Sequence, residues 1–187
     1  MAEIKESRRV KMTKILLKES LIELMKEKPI HSISIKDICS GADINRSTFY
    51  RHYETQYDLY DDIINDISDD IGCIFEKMKE DGYNTTSFLT RLLEYIENKR
   101  EIFLVVLSDK GNIRVGEAYN KMIEKFIDPE NVSELAGYII NFIAAGMTSF
   151  LWTWLSKEER RSASEVAMLM STLIKHGLGR AIDFSTK

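Results

Sequence analysis

The sequence predicts an all-α protein, and three observations carry that reading. Apolar residues recur at intervals of three and four, as in Leu17, Leu21, Leu24 and Met25, which is the period of a helix face. Alternation at period two, the mark of a half-buried strand, is never sustained beyond Ser32-Ile33-Ser34-Ile35. Helix start signals are frequent: Ser34 with Asp37, Thr55 with Asp58 and Ser162 with Glu165 have capping-box spacing, and Asn45 is a good N-cap.

Taken in order, the elements are helices over 7–27, 34–42, 45–53, 55–79, 86–97, 100–107, 114–127, 132–155 and 163–181. Pro29 ends the first of them after Lys28, and Pro129 separates Phe126-Ile127 from the long apolar helix that follows. From Leu135 to Ser156 no residue is charged, a stretch long enough to span a bilayer. Asn141, Thr148, Ser149, Thr153 and a small-residue stripe at helical spacing argue instead for a buried central helix of a bundle. No membrane is expected as a partner. There is no internal repeat or long linker, so an N-terminal helical unit should pack directly onto a larger bundle.

The chain has 187 residues, 44% apolar and 30% charged, an ordinary globular composition with enough chain to bury a core. Cys39 and Cys73 belong to no CxxC or Cys/His cluster, and the charged N-terminus lacks the apolar stretch of a signal peptide. A cytoplasmic protein without disulfides or structural zinc is expected. Enzyme motifs are missing: there is no GxSxG, P-loop or HExxH. A di-iron bundle would need Glu three residues before a histidine. Lys28, Phe49 and Leu173 stand there instead, before His31, His52 and His176. No catalytic residue, metal site or cofactor is predicted.

The informative segment runs from Ser34 to Tyr53. Two short helices separated by three or four residues, the second opening on a cap, have the proportions of a helix-turn-helix. Cys39 supplies a small residue where the helices cross, and Ile35, Ile38, Ala42, Ile44 and Phe49 form an inner face. Asp43 sits where the chain must turn, a position that often takes the left-handed backbone aspartate tolerates. Outward on the second helix remain Asn45, Arg46, Ser47, Thr48, Tyr50, Arg51 and His52. No carboxylate lies between Asn45 and Tyr53. A duplex groove lined by phosphates and base edges would select such a face.

Taken as an average, the net charge of −4 opposes a nucleic-acid partner. Residues 1–53 nevertheless carry a net +4, from eleven Lys+Arg and seven Asp+Glu, and the remaining chain carries −8. Arg8, Arg9, Lys11 and Lys14 lie ahead of the first helix's apolar stripe, where they could meet phosphates flanking the groove. Lys18, Lys26 and Lys28, interleaved with glutamates, read as a solvated helix face.

These residues carry a resemblance. TKILLKESLIELM and ISIKDICSGADINRSTFYRHYETQYDLYDDI, over roughly the first 65 residues, resemble the DNA-binding domain of the TetR family of transcriptional regulators, most specifically at Thr48-Phe49-Tyr50-Arg51-His52-Tyr53. The resemblance implies a DNA-binding domain over 1–54 and a helical regulatory and dimerisation domain over 55–187, with the helix from 55 as connector. It implies that Tyr50 and His52 contact phosphates, and that Asn45, Arg46, Ser47 and Thr48 face bases or adjacent backbone. Ser34, with Lys36 beside it, stands at the N-terminus of the first reader helix, where the Ser34 hydroxyl and N–H would meet a phosphate. Two positions depart from the family pattern. The common turn glycine is Asp43, and the lysine that commonly follows the recognition helix is Gln56, which can donate to phosphate but releases no counterion.

Segments around Tyr95–Ser108 and Ala144–Leu155 resemble the branch that includes activators of dihydroxyacetone kinase genes, which work with a protein co-activator. A homodimer is expected through the last two long helices. Gly137, Ala144, Ala145, Gly146 and Thr148 would let backbones approach, and Val166, Leu169, Met170, Leu173, Ile174 and Leu178 form the apolar stripe of the last helix. Double-stranded DNA with a pseudo-palindromic operator follows as the partner. Phe88, Tyr95, Phe103, Phe126, Tyr138, Phe142 and Trp152 either fill the core or line a pocket for a small-molecule effector, and no ligand residue is assigned. Asn141, polar within an apolar helix, would need a ligand, a water or the other subunit as partner. The functional readings are a dimeric repressor released by a ligand or partner, an activator working with a co-activator, or a helical interaction module with a merely structural helix-turn-helix.

Overall fold

The computed structural model describes residues 8–80, 82, 84–108 and 134–176. The predicted helix over 114–127 lies outside them, as do Phe126 and Leu178. All the regular structure among the described residues is helical. The helices are α1 (Arg8–Glu27), α2 (Ile35–Gly41), α3 (Arg46–Phe49), α4 (Gln56–Glu80), α5 (Thr85–Asn98), α6 (Arg100–Ser108), α7 (Glu134–Leu155) and α8 (Ala163–His176), with one 3-10 turn at Ile30–Ser32. The chain divides into two compact units after Ile67, inside α4. The division falls within the helix expected to connect the domains over 1–54 and 55–187.

In the first unit, α1 buries Leu17, Leu21, Ile22 and Met25 on one stripe, and α2 and α3 add Ile38, Cys39, Ala42 and Phe49. Leu59, Tyr60, Ile63 and Ile67, spaced at three and four along α4, belong to the same core. The close approach of α1 to α2 is made by Gly41, where a Cβ would collide with the Ser20 hydroxyl. Ser20 Oγ donates to the Ile38 carbonyl at 2.8 Å, satisfying a polar group inside the core.

In the second unit the main seam is α5 against α8. Leu89, Leu93 and Ile96 of α5 are buried, as are Ala163, Val166, Ala167 and Met170 of α8. A hydroxyl pair, Thr86 Oγ1 and Ser171 Oγ at 2.7 Å, joins the two helices beside this apolar seam. Phe103, Val105, Val106 and Leu107 of α6 and Leu151, Trp154 and Leu155 of α7 are buried in the same unit, where α6 packs on α7. Arg100 Nε donates to the Leu155 carbonyl at 2.8 Å, using one of the orphan acceptors at the end of α7. Asp70 accepts from Tyr95 Oη and Lys99 Nζ, both at 2.8 Å, which ties α4 to α5 and its C-cap.

Candidate nucleic-acid interface

The reader is assembled from caps. Ser34 and Asp37 form a full capping box at the start of α2, the serine hydroxyl accepting from Asp37 N at 3.1 Å and the carboxylate accepting from Ser34 N at 3.3 Å. A hydrogen bond from the Ser34 side chain, one from Lys28 Nζ at 3.2 Å and the one from Ser34 N hold the Asp37 carboxyl below the usual carboxylate range. Ser34 N–H therefore points into the chain's own carboxylate, and the Ser34 side chain bonds the same group, so the cap is closed on itself. Lys28, expected to be solvated, is a partner of the cap.

Between α2 and α3 the backbone of Asp43 adopts φ +54°, the left-handed conformation expected from its place in the turn. The Ile44 N–H then returns to the Cys39 carbonyl at 2.9 Å and closes the turn. Cys39 is buried at this junction, and burial pushes its thiol pKa up. Asn45 caps α3 by accepting from Ser47 N at 3.1 Å and Ser47 Oγ at 3.2 Å. Phe49, fully buried, anchors α3, with Tyr50 edge-on at 5.7 Å and Tyr53 at 5.6 Å between ring centroids.

Regular α3 covers four residues, less than the predicted 45–53. Past Phe49 i+3 bonds, Arg51 N to Thr48 O and His52 N to Phe49 O, mix with the i+4 bonds of Tyr50 N to Arg46 O and Tyr53 N to Phe49 O, so the last turn is irregular. Arg46, Ser47, Tyr50 and Arg51 are exposed on this segment, while Thr48 and His52 are half-buried. Lys36 on α2 and Arg8 and Arg9 in the first turn of α1 are exposed, and Gln56, the first residue of α4, is half-buried.

One group at the reader escaped the sequence reading. Lys18, expected on a solvated face, is mostly buried and binds Asp62 at 3.0 Å and Asp66 at 2.6 Å. Asp62 also accepts from Tyr53 Oη at 2.6 Å. Burial works against ionisation of Asp62, but the bonds from Tyr53 and Lys18 outweigh it and leave its pKa lowered. This one carboxylate thus joins α1, α4 and the residue that ends the recognition segment. The apolar spacing of Leu17 and Leu21 around Lys18 hinted at a contact face, but nothing in the sequence named a partner 44 residues away.

This geometry meets an independent finding. A TetR C-terminal family, described as transcriptional regulator C-terminal region, matches residues 83–176, half of the chain, and the family described as bacterial regulatory proteins, tetR family, matches residues 19–63. The chain belongs to the TetR family. Over 56 residues it is 32% identical to an uncharacterized HTH-type transcriptional regulator, YxbF, of Bacillus subtilis (strain 168), covering 30% of this chain and 15% of that relative's length. Among solved structures it is similar to a TetR transcriptional regulator from Streptococcus agalactiae 2603V, with 19% identity, TM-score 0.65, and 89% of this chain and 96% of that one covered. It is similar to a TerR/AcrR family regulator from Aquifex aeolicus VF5, with 23% identity, TM-score 0.60, and 87% and 99% covered. It is also similar to the dihydroxyacetone kinase operon activator DhaS, with 19% identity, TM-score 0.55, and 87% and 93% covered. At these identities the likeness is one of fold.

In this TetR-family chain the residues expected at a dimer seam divide. Val166 and Met170 are 5% and 4% exposed, committed to the seam with α5, because the buried stripe of α8 is satisfied within the chain. Leu169, Leu173 and Thr148 are half-buried, and Ala145, Gly146 and Ile174 are exposed. The side-chain surroundings of Gly137, Asn141 and Ala144 fall outside the described residues. Tyr138 and Phe142, expected in the core or lining a pocket, are instead 63% and 77% exposed, one turn apart on α7. Within the single chain, Tyr138, Phe142, Ala145, Ser149 and Thr153 line an open face of α7, opposite its buried Leu151, Trp154 and Leu155.

Of the other aromatics, half-buried Phe88 meets half-buried Phe75, and half-buried Tyr95 meets buried Phe103, edge-on at 5.9 and 6.0 Å, so each ring packs on a neighbour. A groove of about 500 Å³ runs past Phe150, Trp154, Lys157, Arg160 and Leu169 at the α7–α8 junction. Its Arg160 is already paired with Glu97 at 3.1 Å. Among the described residues no helix is long and apolar enough to cross a membrane, and no cluster of three metal-ligating side chains occurs.

Proposed function

We propose that the chain is a dimeric, sequence-specific DNA-binding regulator of transcription in the cytoplasm, which represses from a pseudo-palindromic operator and is released by a small molecule or protein partner. The observation that carries this reading is the recognition segment: Arg46, Ser47, Tyr50 and Arg51 stand exposed, with no carboxylate from Asn45 to Tyr53, on a turn locked by Asp43 and Phe49. Hydrogen-bonding and cationic groups on a rigid support suit phosphates and base edges. Arg8, Arg9 and Lys36, together with Tyr50, His52 and Gln56, would address the backbone.

The dimer is proposed to form through the open face of α7 with the outer side of α8. Tyr138 and Phe142 on α7 and Met168 and Ile174 on α8 expose large apolar surfaces that a second copy would cover. Two readers related by that axis would meet successive turns of the major groove. Activation together with a protein co-activator is the second reading, and the likeness in fold to the operon activator favours it.

The test is a mobility shift of the duplex upstream of the protein's own gene, with sedimentation at micromolar concentration. A salt-sensitive, sequence-selective shift that weakens in Tyr50→Phe and in Arg51→Ala is expected, from a dimer. Absence of any shift at low salt would favour a helical interaction module instead, and a monomer would remove the proposed seam.

A further inference from the structure

We infer that Arg46 reads a guanine in each half of the operator, while its neighbours Asn45 and Ser47 are occupied in holding the helix. The inference rests on the regulator reading and adds which base is read and by which side chain. In a helix-turn-helix the N-terminal residues of the recognition helix reach base edges, and its flanks address the backbone. Here those residues are Asn45, Arg46 and Ser47, with Thr48 half-buried behind them.

Asparagine is the usual adenine reader, because its amide oxygen accepts from N6 while its nitrogen donates to N7. Asn45 has spent that oxygen. It accepts from the backbone N–H and the hydroxyl of Ser47, at 3.1 and 3.2 Å. A backbone N–H can only donate, so the atom facing it is the oxygen. What points outward is the amide nitrogen, which cannot make the two-bond adenine contact alone. Turning the amide round would give up the cap that starts α3. The Ser47 hydroxyl proton is committed to the same oxygen.

Arg46 is the remaining side chain of that turn. It is exposed, and among the described residues its guanidinium has neither a hydrogen bond nor an ion pair. Its planar fork of parallel N–H donors matches the adjacent acceptors O6 and N7 that only guanine presents in the major groove. Tyr50, four residues on and exposed, offers a single hydroxyl, which cannot make a two-bond contact to one base. A two-fold dimer would repeat the reading once in each half-site.

The experiment selects binding sites from a random-sequence duplex library with the full chain and with Arg46→Ala, Arg46→Gln and Asn45→Ser. The expected wild-type sites carry one G·C pair per half-site at a fixed position, whose replacement weakens binding by about 5- to 150-fold. Arg46→Ala loses that preference alone and keeps the salt dependence. Arg46→Gln, whose amide matches adenine, moves the preference from guanine to adenine. Asn45→Ser, which retains a capping oxygen, keeps the wild-type preference.

Uniform weakening of all sequences by Arg46→Ala, with the salt slope reduced by about one, would make Arg46 a phosphate contact and overturn the inference. Retention of guanine by Arg46→Gln, or loss of an adenine preference in Asn45→Ser, would overturn it too. Enrichment of no motif by the wild-type chain would instead strike the regulator reading on which it stands.

Discussion

In residues 8–67 the recognition helices are seven and four residues long, too short to persist alone, whereas residues 68–176 contain helices of fourteen and twenty-two residues that bury apolar stripes. The short helices are held by caps at Ser34 and Asn45, a left-handed turn at Asp43 and a carboxylate shared by Lys18 and Tyr53. The long ones are held mainly by area, in the seam of Leu89, Leu93 and Ile96 against Val166 and Met170. A surface that must match a groove needs each side chain placed, which directional bonds achieve. A surface that must only be covered needs apolar area, which is not directional.

The contrast can be broken most severely at its two anchors. Phe49→Ala empties a fully buried site and should cost about 3–5 kcal/mol in urea unfolding, abolishing DNA binding because Tyr50 and Tyr53 lose their support. Leu93→Ala should cost about 2–5 kcal/mol yet leave DNA affinity unchanged below its melting transition. Equal loss of affinity in both variants would mean that reader and body do not differ in this way.

A smaller effect is expected at the turn. Asp43→Val places a β-branched side chain at φ +54° and should lower stability by about 1–2 kcal/mol, while Asp43→Gly, free of the Cβ clash, should match or exceed wild type in a thermal melt. Retained stability in the valine variant would show that the turn relaxes.

The smallest is the carboxylate clamp. Tyr53→Phe should cost about 1 kcal/mol and weaken DNA binding by loosening the end of the recognition segment. Asp62 has a folded-state pKa below its unfolded one, so its contribution is complete above the ordinary carboxylate range, near pH 4, and disappears as pH falls through the depressed folded value. Stability measured from pH 7 down to pH 3 should therefore fall less steeply in Asp62→Asn than in wild type. An unchanged slope would show that the bonds to Tyr53 and Lys18 carry no net stability.

The caps were legible because they are local: Ser34 with Asp37, Thr55 with Asp58 and Ser162 with Glu165 signal within four residues, and each is an observed cap. Asp43 was legible for the same reason, since a turn of fixed length between two short helices leaves few backbone choices. The Lys18–Asp62–Tyr53 cluster was not, because alternating lysines and glutamates read as solvated unless a distant carboxylate is known to lie above them. Asn45 was legible as a cap, but that its amide oxygen is taken up by both the N–H and the hydroxyl of Ser47 shows only in the folded turn.

By itself the sequence determined the all-helical class, the helix starts, the left-handed turn and the segregation of positive charge into the first 53 residues, all properties of neighbours along the chain. Tertiary structure alone decided which apolar stripe meets which. Val166 and Met170 lie inside against α5, and Tyr138 and Phe142 lie outside. Hydrophobic attraction has no direction, so a stripe announces that it will be covered without naming the surface that covers it.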